Sequence, residues 1–288
     1  MRLALHNLKT RFWPLIKSLQ TTLLLATGMA GYLSASSEPI RWLTFLGLSC
    51  SLFLAISGST VLNMWYDRDI DAQMKRTCNR PLPASLVTPN EVLRLGIGLS
   101  VLGVAWATLL SPLYGLVVFS GLFLDVLVYT IWLKRRSAWS IVLGGLSGGM
   151  PILAGRALGT GQVEWIGLLL ALAVLFWIPT HTLTFNMRFL EDYQAAGVPT
   201  FPSIYGFDIT RKIIAVSSLL AALAMVGACV WIGITAGALR LMAVLSAGLL
   251  LLALTTWMRP SEKVNYGLFK YASLFMLSSM LVLAFMTL

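Results

Sequence analysis

The chain has 288 residues, 58% of them hydrophobic and only 11% charged, a balance too apolar for an ordinary water-soluble domain and expected of an integral membrane protein. The formal net charge of +10 would suit a nucleic-acid binder, but its distribution gives another cause. With the amino terminus placed in the cytoplasm, all of the 21 Lys and Arg residues except Arg41, Arg156 and Arg240 fall on the cytoplasmic side. That is the positive-inside pattern of a membrane protein, and it leaves no charge for nucleic acid to explain.

Residues 1–14 read as a cytoplasmic interfacial segment, basic and partly apolar, with Trp13 and Pro14 leading into the first helix. They read as an anchor rather than a site, with no convincing cleavage signal. Residues 15–288 then form a single transmembrane domain. Apolar stretches of spanning length recur at 15–35, 42–62, 92–110, 113–133, 139–158, 164–185, 213–234, 238–257 and 267–287. Nine spans put the carboxyl terminus outside. Cys50 and Cys229 lie within spans and Cys78 in a loop, so the cysteines suggest neither a disulfide framework nor a metal site.

The second span ends in Asn63-Met64-Trp65-Tyr66-Asp67-Arg68-Asp69-Ile70-Asp71. Only eleven residues of the chain are Asp or Glu, and carboxylates at the end of a membrane span point to function. At about 100° per residue, Asn63, Asp67 and Asp71 share a helical stripe roughly 80° wide, with Asp69 on the other side. Such a face suits Mg²⁺, which takes few protein oxygens and completes its shell with water and phosphate. Lys75, Arg76 and Arg80 follow at once, placed to hold the negative charge of a diphosphate. The alternative is a polar helix end with ion pairs at the membrane surface.

Further along, the fourth span carries Asp125 and ends in Lys134-Arg135-Arg136. These cations obey the topology rule and are also candidates for phosphate. The fifth contains Gly144-Gly145-Leu146-Ser147-Gly148-Gly149-Met150-Pro151, small residues that favour close helix packing over nucleotide binding. The sixth carries Pro179 and His181 and ends in Arg188, Glu191 and Asp192 before a loop with spaced prolines. It repeats the plan of the second span and implies a weak duplication, with a central cavity between two polar helix ends. The last three spans read as scaffold.

In these motifs the chain resembles the UbiA superfamily of intramembrane prenyltransferases, whose first motif is Asn-x-x-x-Asp-x-x-x-Asp and whose second closes the sixth of nine helices. Within it the resemblance is to the protoheme IX farnesyltransferase (haem o synthase) branch. It is carried by the first motif, by Met74-Lys75-Arg76-Thr77 and Arg80-Pro81-Leu82, by Tyr129-Thr130 and Leu133-Lys134-Arg135, and by His181, Glu191-Asp192-Tyr193 and Ala196-Gly197-Val198-Pro199. Pro179-Thr180-His181 and Arg156 depart from that branch, and both lie near the expected acceptor.

The resemblance implies an all-α membrane protein, nine transmembrane helices in a UbiA-like bundle with a central cavity opening to the cytoplasmic side. It also implies Mg²⁺-dependent transfer of a farnesyl group from farnesyl diphosphate to a vinyl group of haem b, giving haem o. Asn63, Asp67, Asp71, Glu191 and Asp192 would then hold Mg²⁺, and Arg76, Arg80, Lys134, Arg135 and Arg188 the diphosphate. His181 and Arg156 would meet the acceptor. The implied partners are both substrates, the lipid bilayer of a prokaryotic inner membrane, and haem a synthase or oxidase assembly proteins, without nucleic acid. A quinone-precursor, chlorophyll-like or lipid acceptor is the alternative within the reaction class. A membrane transporter is the alternative outside it.

Overall fold

A computed structural model describes residues 11–35 and 40–285, so most of the expected interfacial segment lies outside the described residues. The described part is helical, without strands. A short turn, Trp13–Ile16, leads into α1 (Ser18–Ala35), followed by α2 (Trp42–Tyr66), the short α3 (Arg68–Gln73), α4 (Pro89–Leu110) and α5 (Pro112–Leu133). Then come α6 (Ser140–Thr160), α7 (Trp165–Arg188), the short α8 (Leu190–Ala195), α9 (Phe201–Ile232), α10 (Ala236–Met258) and α11 (Glu262–Phe285).

Local chemistry sets several of these boundaries. Thr88 and Glu91 form a capping box at the start of α4, and Ser111 accepts the Tyr114 N–H where Pro112 opens α5, the expected break between the third and fourth spans. The seventh span begins earlier than position 213. Thr200 and Ser203 cap a helix that starts at Phe201, and Gly206 then bends it at φ 76° and ψ 173°, a conformation that only glycine adopts freely.

Eight helices among the described residues are long and apolar enough to cross a membrane, α2 and α4 to α7 together with α9 to α11. The hydroxyl- and glycine-rich α1 falls short of that apolarity. Each long helix packs against the next in chain order, and α11 packs back against α1 to close a ring. Three pairs also touch across the ring, α1 with α6, α2 with α5 and α7 with α11. One buried core is centred on α1, α2, α5 and α6, the other on α7, α9, α10 and α11. The last three helices therefore share a buried core with α7.

The glycines bring α1 and α6 to backbone contact. A Cβ at Gly155 would lie 2.0 Å from the Gly28 carbonyl oxygen, and one at Gly31 would lie 2.3 Å from that of Ile152. The glycine-rich fifth span thus serves close packing, as its composition suggests.

Candidate active site

Asn63, Asp67 and Asp71 come together although the helix breaks between them. Asp67 sits at the junction of α2 and α3 with φ −86° and ψ 5°. The Asp67 N–H still reaches the Asn63 carbonyl at 2.9 Å and the Asp71 N–H reaches that of Asp67 at 2.8 Å. One-turn spacing survives, so the three side chains stay in register. All are buried, Asp67 to 1% exposure.

Cations from three other segments converge on this row. The Lys134 ammonium donates to Asp67 Oδ2, Arg80 pairs with Asp71 at 2.7 Å, and Lys17 donates to Asn63 Oδ1 at 2.9 Å. The Asn63 amide nitrogen donates to Asp67 Oδ2 and to Thr130 Oγ1, both at 3.0 Å. Asn63 therefore orients Asp67. Asp67 Oδ1 is buried without a hydrogen-bond partner, with Arg135 Nη2 3.6 Å away. Arg135 gives its stronger pair to Asp69, with two bonds of 2.6 Å. Asp69 thus faces away from the row, as its spacing predicts, but shares a cation with it.

The end of α5 supplies these partners through an unusual helix. From Leu124 to Leu133 it widens to π geometry, and the Lys134 N–H bonds the Tyr129 carbonyl five residues back at 2.8 Å. Wide turns of this kind occur at functional sites. Thr130 caps the Asp125 carbonyl at 2.8 Å, while the Asp125 carboxylate accepts a hydrogen bond from Ser59 of α2. The intramembrane acid is thereby paired, one helical turn before Asn63 along α2.

The charges are mutually adjusted. Burial disfavours the Lys134 ammonium, but neighbouring Tyr129 and Asp67 outweigh it and hold the group above the ordinary lysine range. Burial and then repulsion from Arg80 and Lys134 push Lys17 down to about 8. Lys17 also sits in the left-handed backbone region, at φ 44° and ψ 59°, a conformation that costs about 1–3 kcal/mol outside glycine. The Arg135 hydrogen bonds hold Asp69 below the usual carboxylate range.

The second polar helix end joins the first through Asp192. Its buried carboxylate accepts the backbone N–H groups of Lys75 and Arg76 at 3.3 and 3.2 Å. The Arg76 guanidinium lies over Phe185, Phe189 and Tyr193, 5.0, 5.6 and 5.8 Å from the ring centroids, and its Nε is buried without a partner. Asp192 thus fixes the loop that carries Arg76. Among the described residues, no three His, Cys, Asp or Glu side chains gather as a metal cluster. A metal at Asp67 and Asp71 would need oxygens from water or phosphate, as Mg²⁺ commonly does.

The remaining expected residues lie elsewhere. Glu191 is exposed, and Arg188 stacks on Tyr266 of α11, 4.0 Å from its centroid. Arg156 is buried, pairs with Glu164 and donates to the carbonyl and hydroxyl of Ser34 at 2.9 and 3.0 Å. His181 stacks between Trp177 and Phe269, at 4.9 and 4.5 Å, with Nδ1 3.2 Å from Ser273. The sequence reading passed over Lys17 and the partners of His181 on α11. Lys17 is a lone cation at the mouth of an apolar span, which is a weak signal, and only the fold brings α11 against α7.

Comparison with known proteins accords with this arrangement. The UbiA prenyltransferase family profile matches residues 24–279. The protoheme IX farnesyltransferase of Archaeoglobus fulgidus is 44% identical over 192 residues, 67% of each chain. That of Korarchaeum cryptofilum is 39% identical over 206 residues, 72% of this chain and 69% of the other. Among solved structures, one reported for digeranylgeranylglyceryl phosphate synthase has a TM-score of 0.80 at 19% identity, covering 98% of this chain and 99% of the other. A UbiA homologue from Archaeoglobus fulgidus, bound to DMAPP and Mg²⁺, has a TM-score of 0.71 at 15% identity, covering 96% and 99%. At these identities the structures show a shared fold. The chain belongs to the UbiA prenyltransferase family and is a polyprenyl transferase of the membrane.

Proposed function

We propose that the enzyme transfers a farnesyl group from farnesyl diphosphate to a vinyl group of haem b, with Mg²⁺ at the Asn63, Asp67 and Asp71 row. Diphosphate leaves, a water adds its hydroxyl to the other vinyl carbon and releases a proton, and haem o results. The observation that carries the site is Asp67 Oδ1. A buried carboxylate oxygen with no hydrogen-bond partner, ringed by cations held on neighbouring oxygens, suits a divalent cation that arrives with an anionic substrate. The farnesyl donor and haem acceptor are supported by the relatives named protoheme IX farnesyltransferase. The use of Mg²⁺ is supported by the fold neighbours that carry it with prenyl diphosphates.

On this reading Asp67 and Asp71 would hold Mg²⁺, which when bound would supply charge neutralisation for the departing diphosphate. Lys134 and Arg80 move from carboxylate to phosphate oxygens. Lys17 would turn from the Asn63 amide oxygen to phosphate, which would leave Asn63 Oδ1 available to the metal. Arg76 and Arg135 each keep a buried Nε without a partner, a donor available to the leaving group. Asp192 fixes the Arg76 loop and is the residue of the second motif best placed to share the metal. The apolar interior keeps water from the allylic cation until the acceptor meets it.

We place the active end of the bundle in the cytoplasm from the charge pattern, with nine spans in one domain of a prokaryotic inner membrane. The test is diphosphate release by purified enzyme given farnesyl diphosphate and haem b. Release that needs Mg²⁺, stops with EDTA and is lost in Asp67→Ala supports the site. Undiminished release in EDTA would remove the metal.

A further inference from the structure

A cavity of about 210 Å³ lies between the ends of α7 and α11, with none of the Asn63, Asp67 and Asp71 row among its walls. Phe185, Phe189, Tyr266 and Phe269 form its aromatic walls; Thr184, Arg188 and Asn265 are its polar points. Tyr266 and Phe269 lie nearly parallel, 10° apart with centroids at 6.1 Å. Phe269 continues the stack to His181 and Trp177. The result is a ladder of flat rings along one seam of the bundle.

Its charge is one-sided. Arg188 and Lys270 both lie over the Tyr266 ring, 4.0 and 4.5 Å from its centroid, and neither forms an ion pair among the described residues. Asn265 is 6% exposed; its amide nitrogen donates to the Thr184 carbonyl at 2.9 Å, and its Oδ1 has no partner. A buried acceptor without a donor is uncommon in a finished structure. Phe185 and Phe189 also contact the Arg76 guanidinium, so the cavity adjoins the loop of the diphosphate site.

We propose that this cavity seats one edge of the acceptor, a flat aromatic macrocycle bearing carboxylates. The macrocycle lies along the Tyr266 and Phe269 rings, its carboxylates meet Arg188 and Lys270, and Asn265 Oδ1 accepts a hydrogen bond from water bound at the carboxylate edge. Charge complementarity with flat parallel walls selects this occupant. A prenyl tail would leave two cations and a buried amide oxygen unused, and a lipid phosphate would not need the ring ladder. The proposal rests on the haem reading above and assigns Arg188 to the acceptor rather than to the diphosphate.

The test is haem b binding, followed by its Soret band, to the full chain in nanodiscs of uncharged lipid, without Mg²⁺ or prenyl diphosphate. Removing a charge-assisted contact should weaken haem binding about tenfold in Lys270→Gln and in Arg188→Gln, with affinity for prenyl diphosphate kept. The same loss should appear when wild type is given haem dimethyl ester. Equal binding of diester and diacid, or an Arg188→Gln variant that loses prenyl diphosphate and keeps haem, would overturn the proposal. Wild type that binds haem through its carboxylates but never farnesylates it supports the cavity and sinks the functional reading instead.

Discussion

Lys17 donates its ammonium to Oδ1 of Asn63 at 2.9 Å from a left-handed backbone position. The contact ties the entry to α1 to the first residue of the acidic row on α2. It also explains why Asn63 stands in that row. Its amide spans a cation on one side and the Asp67 carboxylate with Thr130 on the other.

Lys17→Met should raise the KM for prenyl diphosphate about tenfold, the worth of one charge-assisted contact. Lys17→Arg should restore most of it. Steady-state kinetics at fixed Mg²⁺ checks both. An unchanged KM in Lys17→Met would return the residue to a purely structural role.

Asp67→Ala and Asp71→Ala should each lower kcat by about 10²–10³, the usual cost of removing a charge-stabilising group. Asp69→Ala should cost less than about fivefold, because its pair with Arg135 is exposed and such pairs contribute about 0–1 kcal/mol. Similar losses in all three, with folded protein in the membrane, would contradict the separation of the two faces.

Asp192→Asn should loosen the loop after α3. One amide oxygen cannot replace a charged carboxylate that accepts two N–H groups. The amides of Lys75 and Arg76 should exchange with deuterium faster, with activity falling in parallel. Unchanged exchange with a shifted Mg²⁺ requirement would make Asp192 a metal ligand and nothing more.

Gly155→Val should destabilise the bundle by at least the 1–3 kcal/mol typical of overpacking, because its Cβ has no room beside the Gly28 carbonyl. Gly267→Ala, where a Cβ meets nothing within 4 Å, should be tolerated. Thermal unfolding in detergent compares them. Equal Tm values would deny the close α1–α6 contact.

What the sequence showed depended on how local the cause was. The row of Asn63, Asp67 and Asp71 was legible because one-turn spacing is a local property, and it persists through the break at Asp67. The glycine-rich fifth span announced close packing for the same reason. The start of α9 was missed because capping by Thr200 and Ser203, with a bend at Gly206, extends a helix through residues that look like loop. The π geometry of α5 left no periodic signal. Arg156 could pair with Glu164 and Ser34, and Lys17 with Asn63, only once distant segments met. A chain read in order cannot show which of its apolar helices will close the ring on α1 or face α7.

The central claim is tested most directly by incubating purified enzyme with Mg²⁺, farnesyl diphosphate and haem b, and weighing the pigment by mass spectrometry. The reading predicts a haem heavier by one farnesyl group and one hydroxyl group. Unaltered haem, with prenyl diphosphate consumed only when a phenolic acceptor is supplied, would contradict it.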